Sequence, residues 1–423
     1  MYLIRGACIF FALTFTIVLS PCFPGHSWDS FCWREWALYI KREGLGNVYH
    51  SWTDYLPLLH YELWLFGKLA GSEKEIVESI GFLRIFTLIF DFVALWYLYK
   101  WLGRKIDYLF ILFVCLLNIA WSYNSIVWGQ HDGVLTAFAF LSLYYGFYNK
   151  PVLSGIFLVL ALNFKLQAIV FVPIWALLYF NVLLTKPGLK QFILPLLVML
   201  VLQLLILWPF AEAGVLDELL SVVTGSVDKF PMISMGAKNI WTFIFNGHTD
   251  EVCDGGIWFN GISYKQAGLF MFFTASFIAL LPMIINSIRR IKYPALEKLV
   301  LKREQLWLAS ALVVMLFYFL NTQMHERYIH PAFIFIIAYA FNTGNLFAYV
   351  LFSIAYFLNL EKELQYLKLD NYETLFFSDI FIAALYFVVI VYLEIKLLRA
   401  YYAPGSIKEK PFYLSFNYKR LNA

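Results

Sequence analysis

The chain has 423 residues, of which 61% are hydrophobic, 20% aromatic and only 14% charged, and its formal net charge is +4. A soluble domain carries about 25% charged residues, so this composition excludes a soluble enzyme and a disordered chain. The positive balance is too small and too scattered for a nucleic-acid binder, and five cysteines with no C-x-x-C pair supply no zinc or redox framework.

What remains is an all-α polytopic membrane protein. A spanning helix needs about 20 mostly apolar residues. The first candidate runs from Ile4 to Ser20, and the lack of a small-x-small cleavage site before Pro21 predicts a retained helix rather than a signal peptide. Further candidates are 81–101, 107–124, 132–147, 151–164, 166–184, 191–209, 267–288, 305–321, 329–342, 345–360 and 377–397. The expectation is about twelve spans in a single domain over 1–423, some short enough to be re-entrant or broken.

Two segments between them are long, 21–80 and 210–266. The first contains Ser30–Glu43 and Leu56–Gly71, with Trp33, Trp36, Tyr39 and Ile40 at near-helical spacing. That pattern predicts amphipathic helices lying in the membrane interface. Lys and Arg concentrate in alternate loops (Lys100, Arg104 and Lys105; Lys150; Lys186 and Lys190; Arg289 to Arg303) and in the tail. The positive-inside rule places those loops and both termini in the cytoplasm and the two long segments outside.

Ionisable groups at the bilayer edge are costly, so they need a partner or a function. Four clusters fall on the outer side. In His26-Ser27-Trp28-Asp29, Asp29 suits a general base toward a hydroxyl, while Ser27 or Asp29 as the cap of a helix starting near Ser30 is the competing role. Asp54, followed by Pro57 and His60, suits a cap for the next helix, and both residues line a site at most. In Trp128-Gly129-Gln130-His131-Asp132, the Gln-His-Asp run stands at a helix N-terminus that favours an anion; Asp132 as a plain cap stays open. In His325-Glu326-Arg327-Tyr328, Arg and His suit a phosphate, and an internal Glu326–Arg327 pair is the alternative. Lys165, inside an apolar stretch, is expected to face a polar cavity with Gln167. One carboxylate and one cationic group facing the same compartment describe transfer from a lipid phosphate donor.

At these residues the chain resembles the GT-C glycosyltransferases that use polyprenyl-phosphate sugars, most of all the bacterial mannosyltransferase group related to GPI mannosyltransferase II. The resemblance is carried by Asp29 with Trp36-Ala37, Gly44 to Tyr49, Tyr55-Leu56-Pro57-Leu58, Arg84 with Asp91, and Trp128 to Asp132. It continues through Phe164 to Ala168, Asn239-Ile240-Trp241 and His325 to Pro331, in the family's order over about 25–335.

The resemblance implies Asp29 as catalytic base and His325, with Arg327 and Lys165, on the donor phosphate. It also implies Trp28, Asp54, His60, Gln130, His131, Asp132, Gln167, Asn239, Trp241 and Tyr328 as residues lining the substrate. The implied partners are a polyprenyl-phosphate sugar donor, a glycolipid, glycan or protein hydroxyl acceptor, and membrane lipid, in a bacterial inner membrane with the site facing outward. No cofactor is implied, and the lack of Asp-x-Asp in the first loop argues against an obligatory divalent metal.

Two departures stand out: Phe-Lys-Leu-Gln replaces a common Thr-Lys-Pro-Gln, and His131 stands where an apolar residue is usual. The rivals are a transporter or flippase for lipid-linked sugars and an O-antigen ligase-like enzyme. Trp28, Trp33, Trp128 and Trp241 suit either sugar stacking or interfacial anchoring. A Cys22 or Cys32 bridge to Cys253 is left open by spacing alone.

Overall fold

A computed structural model describes residues 10, 14, 16–103, 106–116, 118–183, 186–292 and 302–402. Most of the first expected span, 4–20, therefore lies outside the described residues. The remainder is mostly helical, with four short strands among the described residues.

The apolar runs became helices close to where composition puts them. Asp132–Phe147 and Pro151–Phe164 carry the expected bounds. The start of the second has a local cause, because proline at the first helical position needs no N–H partner. The run 107–124 is broken: Tyr108–Cys115 and Ile119–Trp128 meet at a bend of 66°. The run 166–184 is split into a 3₁₀ turn, Leu166–Phe171, and a helix, Val172–Leu183.

Among the described residues, four helices are long and apolar enough to cross a membrane: Phe192–Glu212, Tyr264–Arg289, Arg303–Leu320 and Asp379–Tyr401, or up to five spans with the bent pair. Three of them leave large apolar side chains bare, including Leu204, Trp208, Phe270, Phe273, Phe277 and Phe387. Contiguous apolar surface of that extent needs a nonaqueous cover. The chain is a membrane protein.

Arg303–Leu320 is buried along nearly its whole length and packs against Ala332–Thr343, Asp379–Tyr402 and Tyr264–Lys292. A second apolar cluster joins Ser27–Glu43 and Pro57–Ala70 to the ends of the bundle, through Trp33, Trp36, Leu59, Leu63, Phe164 and Phe210. Both helices expected in the segment 21–80 are therefore present. The start of the first and the cap of the second differ from expectation. The first begins at Ser27, not near Ser30, with His26 at the cap position accepting from the Asp29 N–H. Asp29 is thus inside the first turn and is not the cap. The second starts at Pro57 after Leu56, which has no capping side chain, so Asp54 does not cap it.

Cys22, Cys32 and Cys253 are all free thiols, and the bridge left open by spacing is not formed. Cys32 is buried in the second apolar cluster, whereas Cys22 and Cys253 are exposed.

Candidate functional site

Topology alone brings the charged residues to one end of the bundle. Asp132 opens one helix and Lys165 follows the end of the next. The two helices form a hairpin, tied by reciprocal Ser142 and Ser154 hydrogen bonds of 2.9 and 2.8 Å. The loop 321–331, between Arg303–Leu320 and Ala332–Thr343, supplies His325 to Tyr328 at that same end. Gln167 fastens the two parts by donating to the Tyr328 carbonyl.

Asp29 is held from the 123–130 segment. Trp128 Nε1 donates to its Oδ2 at 3.0 Å, and Gln130 Nε2 donates to the same oxygen. His26 Nδ1 lies 3.0 Å from the carboxylate, its ring stacks on Trp128 at 5.3 Å, and the His26 backbone N–H donates to the Trp128 carbonyl at 3.0 Å. Gly129 makes this convergence possible. It takes φ of +82°, and a Cβ there would meet the Arg84 guanidinium at 2.6 Å. Arg84 itself is anchored by donating to the Ser20 and Phe23 carbonyls at 2.5 and 2.6 Å.

Burial alone would raise the Asp29 pKa. The Arg327 charge, the His26 contact and the Trp128 hydrogen bond overcome it and hold the carboxyl well below its usual range. The side chain keeps 14% of its surface exposed. Asp29 is therefore an anion that a small group can reach.

Arg327 is the electrostatic hub. Burial opposes its charge, but Glu326, Asp29 and Asp132 keep the guanidinium on. Its Nη1 pairs with Glu326 Oε1 at 2.5 Å, so the internal pair raised as an alternative from sequence does form. Glu326 is pulled down to about 2: burial works against its ionisation, and the Arg327 charge more than compensates. Arg327 also stands over the Trp128 ring, 5.9 Å from its centroid, while its buried Nε has no protein partner.

His325 is held neutral, chiefly by burial and further by the Arg327 and Lys165 charges, although Glu326 pulls the other way. Lys165 Nζ pairs with Asp132 Oδ1 at 2.6 Å and lies 4.8 Å from the Tyr328 ring centroid. Asp132 is thus an ion-pair partner rather than a plain cap. Its Oδ2 and the Gln167 Oε1 are buried with no protein partner. Buried polar atoms are rarely left so, and three such atoms in one cluster (with Arg327 Nε) mark where a polar ligand would be satisfied.

Other expected residues lie apart from this cluster or at its edge. His60 is buried against Trp36 and Tyr49 and contacts Thr53 Oγ1 at 3.2 Å and the Tyr55 carbonyl at 3.1 Å. Asn239 caps Ile240–Phe245, accepting from the Trp241 N–H at 3.1 Å. Trp241 is fully buried and donates to the Leu320 carbonyl. Asp54 pairs with Lys229, whose neighbour Phe230 packs edge-on against His325. Trp28 points to the surface among Phe31 and Trp52.

His131 proves to be buried, 3.0 Å from Glu62 Oε1 and 3.3 Å from Thr87 Oγ1. Glu62, His26 and Arg84 were not singled out from sequence as site residues. For Glu62 a signal existed: it shares the buried stripe of its helix with Leu59, Leu63 and Phe66, where a carboxylate needs a partner.

Among the described residues, no group of three or more His, Cys, Asp or Glu could hold a metal ion. An apolar groove of about 610 Å³, lined by Phe110, Phe113, Tyr349 and Phe357 among others, shares no residue with the charged cluster. No family model and no curated protein matches the chain.

Proposed function

We propose that the protein is an integral membrane inverting glycosyltransferase. It moves a hexose, a mannose by the sequence resemblance, from a polyprenyl-phosphate carrier to a hydroxyl acceptor. In this reading the chain has about twelve spans of the GT-C type and a long first extracytoplasmic loop. Both termini lie in the cytoplasm of a bacterial cell, and the site faces outward across the inner membrane.

One observation supports it above the rest: Asp29, an accessible carboxylate kept ionised, stands within electrostatic reach of Arg327 at the end of the bundle that also carries Lys165 and His325. The acceptor O–H gives its proton to Asp29 as its oxygen attacks the anomeric carbon. The bond from that carbon to the phosphate oxygen breaks, the configuration inverts, and polyprenyl phosphate leaves. Arg327, through its unpartnered Nε, and Lys165 stabilise the charge that grows on the leaving oxygen. Neutral His325 serves as a hydrogen-bond donor to the phosphate rather than as a third cation.

Lys165 and Arg327 are each already balanced by a carboxylate, Asp132 and Glu326. Donor binding therefore has to share these cations rather than neutralise free ones, which limits affinity and favours release of the spent lipid. The test is incubation of purified protein with a panel of polyprenyl-phosphate sugars and candidate acceptors, scored by mass spectrometry. Transfer from at least one donor that disappears in Asp29→Asn supports the reading. Turnover of none, or full activity of the variant, overturns it.

A further inference from the structure

A two-stranded hairpin precedes the span Tyr264–Arg289, at the end of the bundle that carries His325. Its strands, Ile257–Phe259 and Ile262–Ser263, pair antiparallel with Phe259 opposite Ile262. Asn260 and Gly261 turn the chain, both at positive φ of 48° and 81°, as two-residue hairpin loops favour. Ile257, Trp258, Phe259 and Ile262 are 62%, 46%, 66% and 46% exposed. An isolated two-stranded hairpin is marginal in water at best, and this one leaves four large apolar side chains bare.

Composition, continuity and height all favour lipid as the cover. Residues 255–264 contain no charged side chain. The charges on either side are already engaged. Asp254 is buried and accepts from Thr322 Oγ1 at 2.7 Å and Gln323 Nε2 at 2.8 Å, and Lys265 pairs with Asp228. The apolar surface does not stop at the hairpin. Ser263 runs straight into Tyr264–Arg289, whose Leu269, Phe270 and Phe273 are exposed on the side that needs a nonaqueous cover. Tyr264 stands about 8 Å of helix above Leu269 at 1.5 Å per residue. That matches the headgroup layer, about 5–8 Å thick on each side of the hydrocarbon. The hairpin therefore meets the bilayer at headgroup level, which suits Trp258 and leaves its open strand edges within reach of water.

We propose that the hairpin 257–263 is a membrane-contact element seated in the phospholipid headgroup layer. It is fixed to the body of the protein: Trp258 and Tyr264 both pack edge-on against the buried Trp241, at 5.9 and 5.7 Å. Through Asp254 its stem is also bonded to Thr322 and Gln323, two residues from His325. Seating the hairpin thus sets the loop 321–331 at the level of the lipid phosphates. The partner is the phospholipid surface itself, and the contact stands whether or not Asp29 serves a sugar transfer.

The experiment uses the full-length chain with Cys8→Ser, Cys22→Ser and Cys253→Ser, carrying either Phe259→Cys or Ile262→Cys. Each variant is labelled with the environment-sensitive dye NBD and reconstituted in phosphatidylcholine nanodiscs. Both labelled positions are exposed, so the variants should keep the wild-type melting temperature, and the second position guards against a local fault at the first. The expected emission is shifted to shorter wavelength than in water. Lipid brominated on the upper acyl carbons should quench it, and lipid brominated near the chain ends should quench it less. Water-like emission that iodide quenches freely overturns the proposal. So does shifted emission that no brominated lipid quenches, because protein, a second copy included, would then cover the hairpin. Strongest quenching from the chain ends overturns it as well, since it would place the hairpin in the hydrocarbon.

Discussion

The Trp128 indole N–H donates to Asp29 Oδ2 at 3.0 Å, joining residues separated by 99 positions in sequence. With Gln130 donating to the same oxygen, one carboxylate oxygen is committed to the protein and the other is left for chemistry. Trp128→Phe removes one of these donors without removing the aromatic ring. The expected outcome is an Asp29 that still ionises but is poorly oriented, with kcat reduced about 10- to 100-fold and donor KM little changed. Steady-state kinetics on both substrates separate the two parameters.

The charge on Arg327 holds Asp29 below the usual carboxylate range against the effect of burial. A depressed carboxylate is ionised at every ordinary pH, so the acid limb of kcat/KM lies below about pH 4 in the wild type. Arg327→Gln removes the main attraction, raises the Asp29 pKa, and moves that limb to higher pH. A pH–rate profile of residual activity checks the sign. An unmoved limb would separate the two residues.

For the donor, His325→Ala and Arg327→Ala should each weaken binding of a polyprenyl-phosphate sugar by roughly tenfold, the size of one charge-assisted or buried hydrogen bond. Binding by detergent-solubilised protein, measured by microscale thermophoresis, is the readout. Wild-type affinity in both variants rules out a phosphate role.

Lys165 and Asp132 form a pair in which the carboxylate has no exposed surface. Removing one partner from such a pair costs about 3–5 kcal/mol, because the survivor is left buried and charged. Lys165→Met and Asp132→Asn should therefore each lower the melting temperature by several degrees. The double variant, which buries no net charge, should recover most of the loss.

His60 is pushed down to about 3 by burial, although its bond with the Tyr55 carbonyl works in the opposite direction. The unfolded chain restores a pKa near 6.5. A pKa depressed in the folded state means that the contribution is complete above pH 6.5 and is lost as pH falls toward 3, amounting to a few kcal/mol in order of magnitude. His60→Gln keeps a donor for the Tyr55 carbonyl and does not titrate. Its stability should be flatter than wild type over that interval, as measured by chemical unfolding at successive pH values.

Much of the helical layout was legible because apolar runs bounded by Asp, Pro or Lys leave few choices. Asp132–Phe147 and Pro151–Phe164 needed no tertiary knowledge. Grouping Asp29, Lys165, His325 and Arg327 was legible too, since each is expensive near lipid and each follows or precedes an apolar run. The hydrogen-bond partners were not. His26, rather than Ser27 or Asp29, occupies the cap, and its backbone N–H is fixed by the Trp128 carbonyl, a contact with no local signature. The Glu62–His131 pair spans two helices distant in sequence, and only the position of Glu62 on an apolar stripe hinted that a partner existed. The break of the run 107–124 was likewise invisible, because hydropathy averages over a bend of 66°.

The origin of the site residues has a consequence for biosynthesis. Asp29 emerges from the ribosome early, its two donors follow a hundred residues later, and Arg327, the charge that keeps it ionised, comes only after most of the chain has been inserted. Until then Asp29 has neither the burial nor the partners of the finished site, so a nascent chain carries an ordinary solvated carboxylate that nothing orients. The oriented carboxylate therefore exists only once the bundle is complete.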